Sequence, residues 1–253
     1  MSTQSRTGKT KSGIKKASSL EKGWDLFMKG QHEEALAIFD SLAEEDGNPS
    51  ALYGKACALF RASEHETALS VLSALIRAEP KKPAYFHTRS HIYGADEKYE
   101  KALKDLKKAS ELDPANGEVW CDMGGLYLIM KDYNQAWACF ENAADIDRSC
   151  ACPWFGKGMV ALYQKKYTQA NEYLNIALKQ DTKHPAAHLA RAETAFSLNH
   201  QKEGARDVKK VLSLDKDFAD RFQAMLAENE SEEPDDSFED DNDSKTIDDL
   251  DTF

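Results

Sequence analysis

Apolar residues along most of this chain recur three and four positions apart, with charged residues between them. The segments HEEALAIF, HETALSVL, YEKALKDL, YNQAWACF and YTQANEYL each place a small residue four positions before a bulky or aliphatic one. That spacing lays a single apolar stripe along a helix. The small anchors are Ala35, Ala68, Ala102, Ala136 and Ala170, with Gly204 of QKEGARDV as a sixth, and they lie 33, 34, 34, 34 and 34 residues apart. A fixed period of this length marks stacked copies of one supersecondary unit.

Further columns keep the same register. Twelve residues before each anchor stands Gly23, Ala56, Ser90, Gly124, Gly158 or Ala192. Four residues after it stands Phe39, Leu72, Leu106, Phe140, Leu174 or Val208, and three further on Leu42, Leu75, Ala109, Ala143, Ala177 or Val211. Small residues let two helices approach, and the large ones fill the groove between them. Each unit therefore predicts two amphipathic helices, closed in the second and third copies by Glu79-Pro80 and Asp113-Pro114.

The order of residues resembles the tetratricopeptide repeat. The fourth copy carries Trp120, Met123-Gly124, Tyr127, Tyr133, Ala136, Phe140 and Ala143; the third carries Phe86, Tyr93, Tyr99, Ala102, Ala109 and Pro114; the fifth carries Trp154, Gly158, Tyr167, Ala170 and Ala177. The first and sixth copies are weaker, with Ser19 and His188 at the aromatic slot. The resemblance implies an all-α, right-handed superhelical solenoid of about six helix pairs. The expected units are 16–48, 49–82, 83–116, 117–150, 151–184 and 185–217. Phe218, Phe222, Met225 and Leu226 then form one stripe, which predicts a capping helix over 218–229.

Charge separates the ends from this body. Of a formal net charge of -11, residues 1–22 carry +5 and residues 228–253 carry -12. Residues 1–15 are Ser/Thr/Lys-rich and read as a disordered basic arm; 230–253 read as a disordered acidic tail. The near-neutral body argues against nucleic-acid binding. No run is long and apolar enough to span a membrane, and no secretory leader pattern follows the first lysines. Five Cys without paired C-x-x-C spacing fit a reducing, cytoplasmic setting. None of the G-x-S-x-G, H-E-x-x-H, Walker or G-x-G-x-x-G motifs occurs, so neither catalysis nor a cofactor is expected.

The resemblance also implies that the first helix of each unit lines a concave ligand face. Its register assigns to that face Trp24 and Phe27; Tyr53, Cys57 and Phe60; His87 and His91; Cys121, Asp122 and Leu128; Phe155, Met159 and Tyr163; and Glu193 and Phe196. The strip is rich in apolar and aromatic side chains, which predicts a protein or peptide partner with an apolar segment. The two-carboxylate clamp of chaperone-binding members needs cations at slots that here hold residues such as Trp24, Gly54, Thr88 and Asp122. An adaptor, scaffold or client-holding role is therefore expected. Apolar residues in the tail (Phe238, Ile247, Leu250, Phe253) leave docking in its own groove open, as exposed apolar groups do for self-association. The alternative reading is a metal- or redox-responsive protein. His87 and His91 are one helical turn apart, and Cys57 and Cys121 occupy slots on flanking units, whereas Cys150 and Cys152 read as ordinary thiols.

Overall fold

The computed structural model describes residues 5–214, with side chains from Lys16 onward apart from Asp46. Those residues form twelve helices and no strand: α1 (Ser5–Met28), α2 (His32–Asp46), α3 (Pro49–Arg61), α4 (His65–Ala78), α5 (Pro83–Ala95), α6 (Tyr99–Leu112), α7 (Gly117–Ile129), α8 (Tyr133–Ile146), α9 (Ala151–Tyr163), α10 (Tyr167–Gln180), α11 (Pro185–Ser197) and α12 (Gln201–Leu214). Odd-numbered helices are the first, and even-numbered the second, of six pairs. Among the described residues no helix is long and apolar enough to cross a membrane. The sequence places an arm without structure over residues 1–15, but α1 already begins at Ser5. The expected cap over 218–229 and the acidic tail lie outside the described residues.

Local chemistry sets the boundaries. Pro stands in the first turn of α3, α5 and α11, where its missing N–H costs nothing. Asn48 and Asn116 cap α3 and α7 by accepting from the backbone N–H groups two and three residues on. Each first helix turns into its second through one left-handed residue: Gly30, Ser63, Glu97, Lys131, Lys165 and Asn199, with φ between 58° and 81°. The next N–H then reaches back to a carbonyl five residues earlier, as in Lys98 to Tyr93 and Asp132 to Tyr127, both 2.8 Å. Only the first of these turns has glycine.

The anchor and bulky columns make the core. Ala35, Ala68, Ala102, Ala136 and Ala170 are fully buried, as are Phe39, Leu72 and Leu174. Where the bulky slot holds Phe, both neighbouring first helices offer glycine. Phe39 lies between Gly23 and Gly54, and Phe140 between Gly124 and Gly156. A side chain at those positions would enter the ring's space.

A second column, absent from the apolar pattern, ties consecutive pairs together. Arg89 of α5 makes a fork of 2.6 and 2.7 Å bonds to Asp105 of α6 and reaches back to Ser73 of α4. Arg191 of α11 repeats this with Asp207 of α12 and Asn175 of α10. Between them, at the same slot, the nearly buried Lys157 of α9 faces Trp137, Trp154 and Tyr173 at 4.9, 5.5 and 6.0 Å and pairs with Glu141 at 3.6 Å. Lys55 pairs with Asp40 of α2. Arg89, Lys157 and Arg191 each join their own helix to both neighbouring second helices, and Lys55 joins α3 to α2. These forks are charge-assisted and bidentate, the strong class of side-chain hydrogen bond.

Degeneracy in the sixth copy also has a structural reason. Trp120 and Trp154 donate their ring N–H to the carbonyl six residues earlier, Pro114 and Arg148. His188 occupies the same slot, bonds Thr182 O at 3.1 Å in the same way, and adds a 2.8 Å bond to Asp207.

Candidate binding face on the first helices

The fifteen residues assigned to the ligand face do lie on the six first helices, but most are partly covered. Only His91, Tyr163, Glu193 and Phe196 are exposed; Cys121 is buried and the other ten are half-buried. Trp24 and Phe27 stack edge-on with centroids 5.7 Å apart and pack on Phe39 and Ala35. Tyr53 and Phe60 rest on the core around Leu72 and Ile92. Phe155 and Met159 rest on the core around Leu174, with Phe155 4.8 Å from the His184 ring. Leu128 lies against Phe140 and Val160. Much of the apolar strip is thus spent on packing between neighbouring units.

The structure assembles a polar strip across α3, α5, α7 and α9 instead. The Tyr53 and Thr88 hydroxyls lie 2.8 Å apart, and Cys57 joins them by hydrogen bonds. Burial pushes the Tyr53 hydroxyl up to about 12 and the Cys57 thiol up to about 11, so both stay protonated near neutrality. Next along, His87 and His91 both direct Nε2 at Oδ2 of Asp122, each at 2.7 Å. The rings stand edge to face, 4.5 Å between centroids. Burial opposes ionisation of Asp122, but the two histidines outweigh it and hold its carboxyl down at about 2. The Asp122 bond holds His91 above the usual imidazole range, against burial; Glu118 adds to the rise and Arg61 opposes it. Beyond Asp122, the Cys121 thiol donates to Cys152 of α9, which raises Cys121 and lowers Cys152.

Sequence register named His87, His91 and Asp122 as face residues but did not unite them. It grouped the histidines with Cys57 and Cys121, whereas in the structure neither thiol belongs to the histidine cluster. It also missed Cys152 as the partner of Cys121. The signal was present: Tyr53–Thr88 and His87–Asp122 are 35 residues apart, and His91–Asp122 and Cys121–Cys152 are 31 apart. Those offsets bracket the 34-residue period by one step forward and three back, which is one helical turn on the adjacent first helix.

The exposed apolar groups have their own distribution. Six large apolar side chains are exposed among the described residues: Met28, Ile129, Met130, Ile146, Tyr163 and Phe196. All but Ile146 sit at the C-terminal ends of first helices. Tyr163 stacks on Tyr133 with centroids 6.1 Å apart, leaving its outer face to solvent.

Comparison with known proteins agrees with this architecture. Tetratricopeptide repeat patterns match residues 26–92, 83–116, 117–150 and 155–210. Human tetratricopeptide repeat protein 13 is 26% identical over 206 residues, which cover 79% of this chain and 20% of that protein. The chain thus spans about a fifth of the length of the curated relatives it matches. PilF of Pseudomonas aeruginosa superposes with a TM-score of 0.70 at 18% identity, covering 84% of this chain and 97% of that one. YrrB, described as a TPR protein with an unusual peptide-binding site, superposes at 0.54 with 17% identity over 76% of this chain and 97% of its own.

Proposed function

The chain belongs to the tetratricopeptide repeat family, whose helix pairs generally mediate protein–protein interaction, and from that premise we propose that it holds a protein segment on the face made by its first helices. It works without catalysis, as an adaptor, scaffold or client holder. The observation that carries this reading is the placement of the exposed apolar groups. Five of the six large ones stand at the ends of first helices, and Ile129 and Tyr163 are one repeat apart. Exposed apolar groups gathered on one side of a molecule mark an interaction surface. Beside them runs the polar strip from Thr88 to Asp122. A segment lying across α7, α9 and α11 would bury apolar side chains against Ile129, Tyr163 and Phe196, and donate or accept hydrogen bonds at the strip. A peptide-binding site in YrrB, which shares the fold, supports the same reading.

The test compares three aspartates. Tyr163→Asp and Ile129→Asp are expected to abolish capture of the protein's partner. Ile146→Asp, at an exposed apolar position on a second helix, is expected to retain it, with unchanged helical circular dichroism in all three. Loss of the partner in Ile146→Asp alone, or retention in all three, would overturn the proposal.

A further inference from the structure

The geometry points to a divalent transition-metal site, of the zinc class, formed by His87 and His91 of α5 and Asp122 of α7. The donor atoms of these three residues all lie within 4.8 Å of one another. Both imidazoles aim the same atom, Nε2, at a single carboxylate oxygen, each from 2.7 Å. One histidine would suffice to hold Asp122 by a hydrogen bond. Two converging on one point, from successive turns of one helix, make a facial donor set of two imidazoles and one carboxylate. That set suits zinc and its first-row neighbours, which accept imidazole and carboxylate together.

The distances permit the exchange. Zinc takes imidazole nitrogen and carboxylate oxygen at about 2.0–2.2 Å, which places tetrahedral ligands roughly 3.4 Å from each other. The present 2.7 Å contacts need to open by well under an ångström on each side, within the reach of side-chain rotation. On binding, the proton on Nε2 of each ring must leave: an imidazolium releases it to solvent and keeps the one on Nδ1, whereas a neutral ring shifts to its Nδ1–H tautomer; the freed Nε2 then bonds the metal in place of Asp122. The carboxylate exchanges two N–H donors for one cation.

The supporting elements are fixed before any ion arrives. Between the two histidines, Arg89 holds α5 through its fork to Asp105. α7 is capped by Asn116, and Trp120 is tied to Pro114 O. Donors carried on rigid helices lose little freedom on coordination. Access is also provided: the side chains of His91 and Asp122 are 42% and 34% exposed, while that of His87 is 12% exposed. Glu118, one turn before Asp122, contributes a negative charge; Arg61 opposes it.

Three protein donors leave one tetrahedral position open. Water fills it in the free protein, and a carboxylate, imidazole or thiolate of a bound segment is chemically suited to replace that water. The site would also bridge the third and fourth units, so the ion should stiffen the middle of the array.

Calorimetric titration of the reduced, full-length protein with zinc chloride tests the site without any partner, so its outcome is independent of the segment-holding proposal. One ion per chain is expected, with a rise in thermal midpoint. His91→Asn and Asp122→Asn should each weaken binding by more than about 100-fold, beyond the loss from removing an outer-shell partner, while keeping their helical content. The pair Cys121→Ser/Cys152→Ser should bind as the wild type does. Cobalt(II) bound to the protein should show d–d absorption without a thiolate charge-transfer band. Absence of stoichiometric zinc would overturn the assignment. So would binding that survives His91→Asn and Asp122→Asn but disappears with the two thiols.

Discussion

Gly124 and Gly125 are neighbours on α7, yet the packing predicts opposite consequences for replacing each by alanine. A methyl group at position 124 would stand 2.6 Å from Cε1 of Phe140, 2.8 Å from Cζ and 2.9 Å from Cδ1. Carbon atoms rest at about 3.5–4.0 Å, so the ring would have to retreat by about 1 Å. It has nowhere to go, because the space on its other side is taken up by the close approach of Gly156 on α9. Overpacking of this kind costs about 1–3 kcal/mol. It is partly offset by the gain of about 1 kcal/mol from replacing glycine by alanine in a helix. Gly124→Ala should therefore destabilise by up to about 2 kcal/mol. At position 125 nothing lies within 4 Å of the added methyl, so Gly125→Ala should stabilise by up to about 1 kcal/mol. Phe140→Leu shortens the obstructing side chain and should rescue Gly124→Ala, giving a double variant more stable than the sum of the two single effects predicts. Urea unfolding followed by far-ultraviolet circular dichroism measures all four, and the slope of the transition must stay constant, since repeat arrays can lose cooperativity. Equal stability of Gly124→Ala and Gly125→Ala, or additivity in the double variant, would refute the account of the phenylalanine wedge.

Three further outcomes follow from other features. Burial opposes ionisation of Asp207, but Arg191 and His188 hold its carboxyl below the usual range; its contribution is therefore present above the unfolded value of 3.8 and lost as pH falls through the lower folded value. Asp207→Asn should cost about 3 kcal/mol near neutrality and lessen the loss of stability below pH 4, as read from urea midpoints across pH. Lys131 adopts φ of 62° in its turn, so Lys131→Gly should raise stability by about 0.5–1 kcal/mol, the relief of a left-handed backbone less the entropy of glycine, measured by thermal unfolding. Cys152 is exposed and its thiol is lowered by the bond from Cys121, whereas burial pushes Cys57 and Cys139 each up to about 11; iodoacetamide followed by peptide mass spectrometry should find Cys152 modified well before those two.

The helix pairs were legible because the core uses period and size alone. The column of Ala35, Ala68, Ala102, Ala136 and Ala170 is set by close approach of helices, which leaves a trace at every repeat. The cation column at Lys55, Arg89, Lys157 and Arg191 is equally periodic but is not legible as a structural tie, because charged residues on amphipathic helices read as solvent-facing, and the fourth copy breaks the series with Met123. The ligand face was the least legible. Register placed Phe155 and Tyr163 alike on it, but whether a first-helix residue faces solvent or the adjoining unit depends on the neighbour's side chains: Phe155 is taken up by the core around Leu174, and Tyr163 at the helix end is not. The pairing of His87 and His91 with Asp122 depends on how far one unit is rotated against the next, a quantity that no single repeat encodes.

The most direct test of the binding face is site-specific photocrosslinking in the full-length protein, with a photoreactive residue at Ile129 or Tyr163 on the first helices, and at Lys104 or Ile146 on the second helices. A partner bound as proposed joins at Ile129 and Tyr163 and leaves Lys104 and Ile146 unlinked. The same partner joined through Lys104 and Ile146, with Ile129 and Tyr163 silent, would contradict the account.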